Sequence, residues 1–469
     1  MTVPLNDGTL NSLPSKVLVP LYPRRAASSQ IAHIGVGGFH RAHEVVYLDD
    51  LANLSGKINW SICGIGLRSE DQAMRDALAS QNCLYTVVSR SADSGEARVI
   101  GSLHEYLFAP DNPEAVIDQL AAPETRIVSL TITEGGYTLG AGDSVFSTLA
   151  EALKRRRDAR RAPFTVLSCD NLQSNGDMAR KTLLAFTESR DTGLHDWIAQ
   201  QVAFPNCMVD RITPQTTAAD RVMVRDEFSI DDKWPVVTEP FKQWVIEDKF
   251  SAGRPPLERV GVQFTSDVHP YEMMKIGLLN GSHSAMGYLG FLAGFTYIHE
   301  IMADPLFQNY IRRLMQEEVA PLLAPVPGID LAEYQKTLVT RFANPTIKDQ
   351  VTRICLDGSA KVPKFVLSTV SAALAEGRPT RLLSLAVAGW FRYLTALDEG
   401  GKSFIINDPL AARLTKTARE GGRDPRPLLD LTDLFGNIGQ STVFVQQVGE
   451  ALDRLYTVGA RATLARSVF

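Results

Sequence analysis

A short apolar strand, Ile31-Ala32-His33-Ile34, runs directly into Gly35-Val36-Gly37-Gly38-Phe39-His40, and this restricts the fold more than any other local pattern. Gly35 permits a tight turn, and Gly37 lets a ligand approach the backbone where the next helix begins. A helical pattern over Ala42 to Leu54 follows, and then a second apolar strand from Asn59 to Leu67. Strand, glycine turn, helix and strand form a βαβ unit, which requires a parallel sheet with helices on its faces. In such a unit the helix start is an anion site suited to a pyrophosphate. The expectation is an α/β chain with a Rossmann-type, dinucleotide-binding N-terminal domain. Its cofactor contacts would come from Ile34, Gly35, Val36, Gly37, Gly38, Phe39 and His40, with His40 replacing the third glycine of the usual fingerprint.

The second strand ends in Arg68-Ser69-Glu70-Asp71. An acid at this point binds ribose hydroxyls and repels a 2′-phosphate, so Glu70 and Asp71 select NAD, whereas Arg68 alone would suit NADP. Tyr85 to Ser89 and Arg98 to Ile100 read as a hairpin insertion. Arg126 to Thr133 reads as a buried strand that delivers Thr133 and Glu134 to a sheet edge, where ligands of this fold lie. Phe164 to Cys169 delivers Asn171 to the same edge. Lys154-Arg155-Arg156-Arg157, in a helix over Leu149 to Arg161, reads as a solvated basic face. After a last strand-like segment, Val260 to Phe264, the pattern turns helical. The expected division is residues 1–267 as the Rossmann-type domain with insertions, and 268–469 as an α-helical domain carrying substrate and catalytic residues.

The helical half opens on His269-Pro270-Tyr271-Glu272-Met273-Met274-Lys275, followed by Ile276-Gly277-Leu278-Leu279-Asn280-Gly281-Ser282-His283. Pro270 and Glu272 suit a helix N-terminus. On an α-helix, Lys275, Asn280 and His283 span an arc of roughly 140°, with Glu272 on the same side. Polar groups in so apolar a run need partners or a use. A lysine desolvated there loses the roughly 2–3 pKa units that a general base requires. Tyr271-x3-Lys275 also matches the short-chain dehydrogenase pair, in which tyrosine is the acid/base.

Composition excludes other classes. A net charge of −5 provides no basic field for nucleic acid or an anionic membrane, and the apolar runs are broken by Gly, His or charge. The N-terminus lacks a signal-peptide pattern. Five scattered cysteines fit reduced thiols in a cytoplasm, and neither they nor the eight histidines have metal-ligand spacing, so no metal is expected.

Gly35 to His43, Thr131-Ile132-Thr133-Glu134-Gly135-Gly136-Tyr137, Ser168-Cys169-Asp170-Asn171, Met208 to Pro214 and Lys275 to His283 together resemble the polyol-specific long-chain dehydrogenases, the mannitol dehydrogenase family. They occur in the family's order and span nearly the whole chain. The resemblance implies that Lys275 is the general base and that Asn171 and Asn280 hold the developing alkoxide. It implies that His283 orients substrate, that Asp210, Arg353 and Lys361 bind its other hydroxyls, and that Glu134 and Glu272 flank the proton route. It further implies NAD as cofactor, no metal, a small polyol or ketose as substrate, and a monomer or weak homo-oligomer. The reaction would be reversible oxidation of D-mannitol to D-fructose. The alternatives are a fructuronate reductase or D-arabinitol dehydrogenase of the same superfamily, or a dinucleotide-sensing protein without turnover. One departure stands out: between Tyr137 and Phe164 the chain is shorter than the family pattern by roughly one helical hairpin, which puts sheet packing there in doubt.

Overall fold

Five parallel strands form the central sheet: β1 (Ser29–Ile34), β2 (Trp60–Gly66), β3 (Leu103–Phe108), β4 (Thr125–Leu130) and β5 (Thr165–Ser168). Their order is β3-β2-β1-β4-β5. Strand order reverses between β1 and β4, which opens a crevice at the carboxyl ends of those strands. The strands alternate between two buried faces. Ile31, Ile62, Ile127 and Leu167 pack with Val45, Val46 and Leu48 on one side. Ala32, Ile34, Cys63, Ile65, Val128 and Val166 pack with Leu149, Leu153, Ala179 and Leu183 on the other. A Val, Leu or Ile side chain contributes about 1.5–3 kcal/mol on full burial.

The structure is a computed structural model describing residues 2–24, 27–92, 94–140 and 144–467. It forms two compact units, Met1–His269 and Pro270–Phe469, here termed the sheet unit and the helical unit.

Several details differ from expectation. The helix after the glycine turn is split into α1 (Gly38–Ala42) and α2 (Glu44–Ser55), because His43 leaves helical geometry at φ −119°, ψ −85°. The hairpin Tyr85–Arg90 with Gly95–Ile100 extends into a four-stranded sheet with Val17–Leu18 and Val236–Thr238. The last strand begins only at Gln263, since Leu257–Val260 is a 3₁₀ turn.

The basic run is not wholly solvated. Arg156 is 2% exposed. Its guanidinium donates to the carbonyls of Leu120, Ala122, Thr125 and Ala162, tying its helix, Ser144–Asp158, to the end of the helix Pro113–Ala121. A buried guanidinium has five N–H donors to place, and these carbonyls accept them without a counter-charge. The same helix puts Phe146, Leu149, Ala150, Ala152 and Leu153 into the core, so the short segment after Tyr137 still covers the sheet. Residues 141–143 of that segment lie outside the described residues.

In the helical unit, Gly281–Leu292 is buried at every position except Phe291, as expected of a helix apolar on all sides. Arg381–Leu394 packs against it and against the long Thr442–Ser467. Among the described residues, no helix is long and apolar enough to cross a membrane.

Candidate active site

The crevice of the sheet unit is a cleft of about 520 Å³, lined by Ile34, Gly35, Arg68, Asp71, Thr131 and Thr133 among others. That size suits a small-molecule or cofactor site. Gly35 has φ +98°, and a Cβ there would lie 2.1 Å from the Thr131 carbonyl oxygen, so only glycine fits. At Gly37 the nearest atom to an added Cβ is the Gly35 carbonyl oxygen at 3.9 Å, which leaves that backbone open to a ligand.

The fold also places the other residues expected at the turn. Val36 is buried, Gly38 begins α1, and Phe39 stacks on His43 with centroids 4.8 Å apart. His40 is 1% exposed, with its ring against that of His33. The two acids also separate. Asp71 lines the cleft and accepts the Arg68 N–H at 3.1 Å, whereas Glu70 is exposed and does not line it.

The fold assembles a cluster that linear spacing hid. His33, His40 and Glu44 are all buried, with donor atoms within 4.8 Å of one another. The histidines were expected to have no metal-ligand spacing: His40 and Glu44 stand four residues apart, and His33 joins them only through the strand that precedes the turn. The two rings stack in parallel, centroids 3.3 Å apart at 6°. Two nitrogens and a carboxylate oxygen are a set that could ligate a metal, and His33 Nδ1 and His40 Nε2 lie 3.1 Å and 3.3 Å from the same Glu44 oxygen.

Hydrogen bonding explains the cluster better. Ser129 donates to Glu44 Oε2 at 2.9 Å and lies 2.8 Å from His33 Nδ1. His33 Nε2 lies 2.9 Å from Thr131 Oγ1, which donates to the Gly35 carbonyl at 2.6 Å. The network thus ends on the glycine turn. Burial opposes the Glu44 charge, yet hydrogen bonding from His33 holds its carboxyl well below the usual range. His40 Nε2 is 3.3 Å from the same oxygen but off hydrogen-bond geometry, so we assign the hold chiefly to His33 and Ser129. Burial lowers His40 to about 3, leaving it neutral.

At the carboxyl ends of β4 and β5 lies a residue that sequence reasoning did not single out. Asp170 is 7% exposed and accepts the Thr133 N–H at 2.8 Å, the Ile132 N–H at 3.1 Å and the Tyr137 hydroxyl at 2.7 Å. Glu134 and Asn171 flank these contacts along the chain. Asp210 ends the strand Cys207–Asp210 and is buried. The only sequence signal for Asp170 was its place beside Asn171.

In the helical unit, the run Lys275–Asn280 is a π-helical turn between the α-helices His269–Met274 and Gly281–Leu292. The Gly281 N–H bonds to the Ile276 carbonyl, five residues back. Such a turn brings residues five apart onto one face, so Lys275 and Asn280 align, where an α-helix would have splayed them. π turns inside helices occur frequently at functional sites. Lys275 and His283 are each 8% exposed and Glu272 is 4% exposed. Asn280 Oδ1 is buried and lacks a hydrogen-bond partner among the described residues. The His283 ring rests on Phe342, centroids 4.6 Å apart.

Arg353 and Lys361 sit on Val351–Ile354 and Gly358–Val362, which both pack against Gly281–Leu292. Arg353 is half-exposed and forks onto Asp349 through two bonds of 2.6 Å. Burial holds the Lys361 ammonium below its usual value, and the Arg353 charge adds to this. Tyr271 donates its hydroxyl to the Pro327 carbonyl at 2.7 Å, an anchoring contact that counts against the acid/base role of the short-chain pair.

Comparison with known proteins adds the lineage. The mannitol dehydrogenase Rossmann domain matches residues 29–259, and the mannitol dehydrogenase C-terminal domain matches 267–456. A mannitol 2-dehydrogenase of Phaeosphaeria nodorum is 47% identical over 99% of this chain and 86% of that protein. One from Aspergillus fumigatus is 48% identical over 96% of each. Among solved structures, Pseudomonas fluorescens mannitol 2-dehydrogenase in ternary complex with NAD and D-mannitol has 48% identity and a TM-score of 0.90, covering 99% of each chain. A D-sorbitol dehydrogenase in substrate-free form has 34% identity and a TM-score of 0.89, covering 98% of this chain and all of that one. With both family domains matched along its length, this chain belongs to the mannitol dehydrogenase family.

Proposed function

We propose that this chain is an NAD-dependent polyol dehydrogenase that oxidises a secondary alcohol reversibly, with D-mannitol and D-fructose as its main pair. The observation that carries the reading is the π turn, which aligns Lys275 and Asn280 inside a buried helical run. The relative bound to NAD and D-mannitol, 48% identical, supports both cofactor and substrate. The glycine turn and Asp71 on the cleft suit a dinucleotide without a 2′-phosphate.

NAD, when bound, supplies the hydride acceptor. The chain does the rest. Lys275, in its deprotonated form, takes the alcohol proton as the C–H bond breaks; a positioned base of this kind contributes about 10²–10⁴-fold. Asn280 and Asn171 donate amide N–H groups to the oxygen as its charge develops, and each such donor is worth about 10²–10³-fold. His283 orients the substrate, while Asp210, Arg353 and Lys361 bind its remaining hydroxyls. Glu134 and Glu272 pass the proton between Lys275 and solvent. Because lysine supplies the base, no metal is required, and prolonged EDTA treatment leaves activity intact. We also infer a cytoplasmic enzyme, since all five cysteines are unpaired and buried.

The test is NADH oxidation by the purified protein with fructose, xylulose and fructuronate in parallel. Fructose is expected to give the highest kcat/KM. A tenfold preference for fructuronate, about 1.4 kcal/mol in transition-state binding, would move the assignment to a uronate reductase. NADH binding without turnover of any of the three would identify a sensor.

A further inference from the structure

Thr133 has φ 62° and ψ 170°, a region open essentially only to glycine. A β-branched residue stays there only if its surroundings hold it. We propose that Asp170 is the positioning residue that holds Thr133 in this conformation, and that it thereby sets the cleft wall and the turn bearing Glu134. This rests on the dehydrogenase reading above, and it concerns a residue given no role there.

One carboxylate pins both ends of the turn. Its two oxygens accept the Ile132 and Thr133 N–H groups before the turn and the Tyr137 hydroxyl after it. Between these points lies the 3₁₀ turn Glu134–Tyr137, and Ile132, Thr133, Gly135 and Gly136 all line the cleft. The anchor is itself fixed: the Asp170 carbonyl accepts Asn175 Nδ2 at 3.1 Å, and the preceding Cys169 N–H bonds to Leu130 on β4 at 2.8 Å. The Tyr137 hydroxyl also meets Ser168 Oγ at 2.6 Å, which aims it at the carboxylate. An ionised carboxylate accepts at both oxygens, whereas an amide accepts at only one. Asn171 follows directly, so the same residue joins the wall of the cleft to a proposed alkoxide donor.

The test is a double-mutant cycle in the full chain, using Asp170→Asn, Thr133→Gly and the pair. Glycine takes this conformation without a side-chain penalty, so in the Thr133→Gly background the clamp has little to hold. With Thr133 in place, Asp170→Asn is expected to lower kcat with fructose and weaken NADH binding by at least about tenfold. In the Thr133→Gly background the same change is expected to cost under about threefold in each. The melting temperature should follow the same cycle, with a smaller loss when Thr133→Gly is present. Equal factors in both backgrounds overturn the proposal. If the wild-type chain reduces no ketose, the dehydrogenase reading fails, while the melting-temperature cycle still decides the clamp. Should Asp170→Asn not fold alone, Tyr137→Phe replaces it, and its melting loss must likewise shrink in the Thr133→Gly background; an unchanged loss rejects the clamp.

Discussion

The two units reach their working geometry by opposite departures from regular backbone. In the sheet unit the chain is pinched: Gly35 turns at φ +98° and Thr133 sits at φ 62°, one allowed by a missing side chain and the other retained by Asp170. In the helical unit the chain is widened: a π turn aligns Lys275 with Asn280, and the flanking Met274 and Gly281 remain right-handed. A pinch leaves a residue signature, since glycine is needed where a Cβ would collide. A widened turn leaves only a spacing, here five residues from lysine to asparagine.

The contrast gives an ordered set of expectations. Gly35→Ala meets the Thr131 carbonyl at 2.1 Å on backbone that cannot retreat, at a φ that alanine resists. It should abolish NADH binding, or leave too little folded protein to titrate. Gly281→Ala brings a Cβ to 2.9 Å from the Phe365 carbonyl, a milder collision just past the π turn. It should cost about 1–3 kcal/mol of stability as overpacking and lower kcat by shifting Asn280, with NADH affinity preserved. A loss of NADH affinity equal to the loss in kcat would break the separation between the two devices. Asp71→Ser should raise NADP use relative to NAD, and Glu70→Ser should do so far less, because only Asp71 lines the cleft. Equal shifts would mean that the ribose is read outside it.

The smallest effect is acid sensitivity seated in the sheet unit. Burial lowers both His40 and His43 to about 3. Below pH ~6.5 the unfolded chain takes up protons that these folded rings refuse, so stability falls as pH drops from about 6.5 toward 3. Each ring accounts for about 1 kcal/mol between pH 6.5 and 5.5. Melting curves across that interval should shift down, and His43→Gln should flatten the shift. No flattening would place the acid-labile groups elsewhere.

Much of this was legible in the sequence where physics acts locally. The apolar run at Ile31, the glycine turn and the apolar-then-acidic run through Asp71 outlined the βαβ core, because sheet burial and tight turns constrain residue type directly. β3 escaped notice: His104 and Glu105 break its apolar pattern, which an edge strand tolerates. Gln243–Glu247 escaped as well, the middle strand of a three-stranded sheet. Arg156 looked like its solvated neighbours because backbone carbonyls, invisible in a sequence, satisfy it. The helical wheel separated Lys275 from Asn280 because it assumed a regular turn, and nothing in the residue types announced the extra residue. The role of Asp170 depended on the ends of β4 and β5 lying side by side, which brings it to Ile132 and Thr133, a contact that only the fold creates.

The central claim is that the buried lysine of the π turn, and not the tyrosine four residues before it, is the base. The most direct measurement compares kcat for mannitol oxidation across pH in the wild type, Lys275→Ala and Tyr271→Phe. A base must shed its proton before it can take one, so wild-type kcat should rise with pH as the lysine deprotonates. Lys275→Ala should lose about 10²–10⁴-fold in kcat together with that rise. Tyr271→Phe should retain both most of the rate and the rise, having lost only its bond to the Pro327 carbonyl. The reverse ranking would contradict the assignment and transfer the proton to Tyr271.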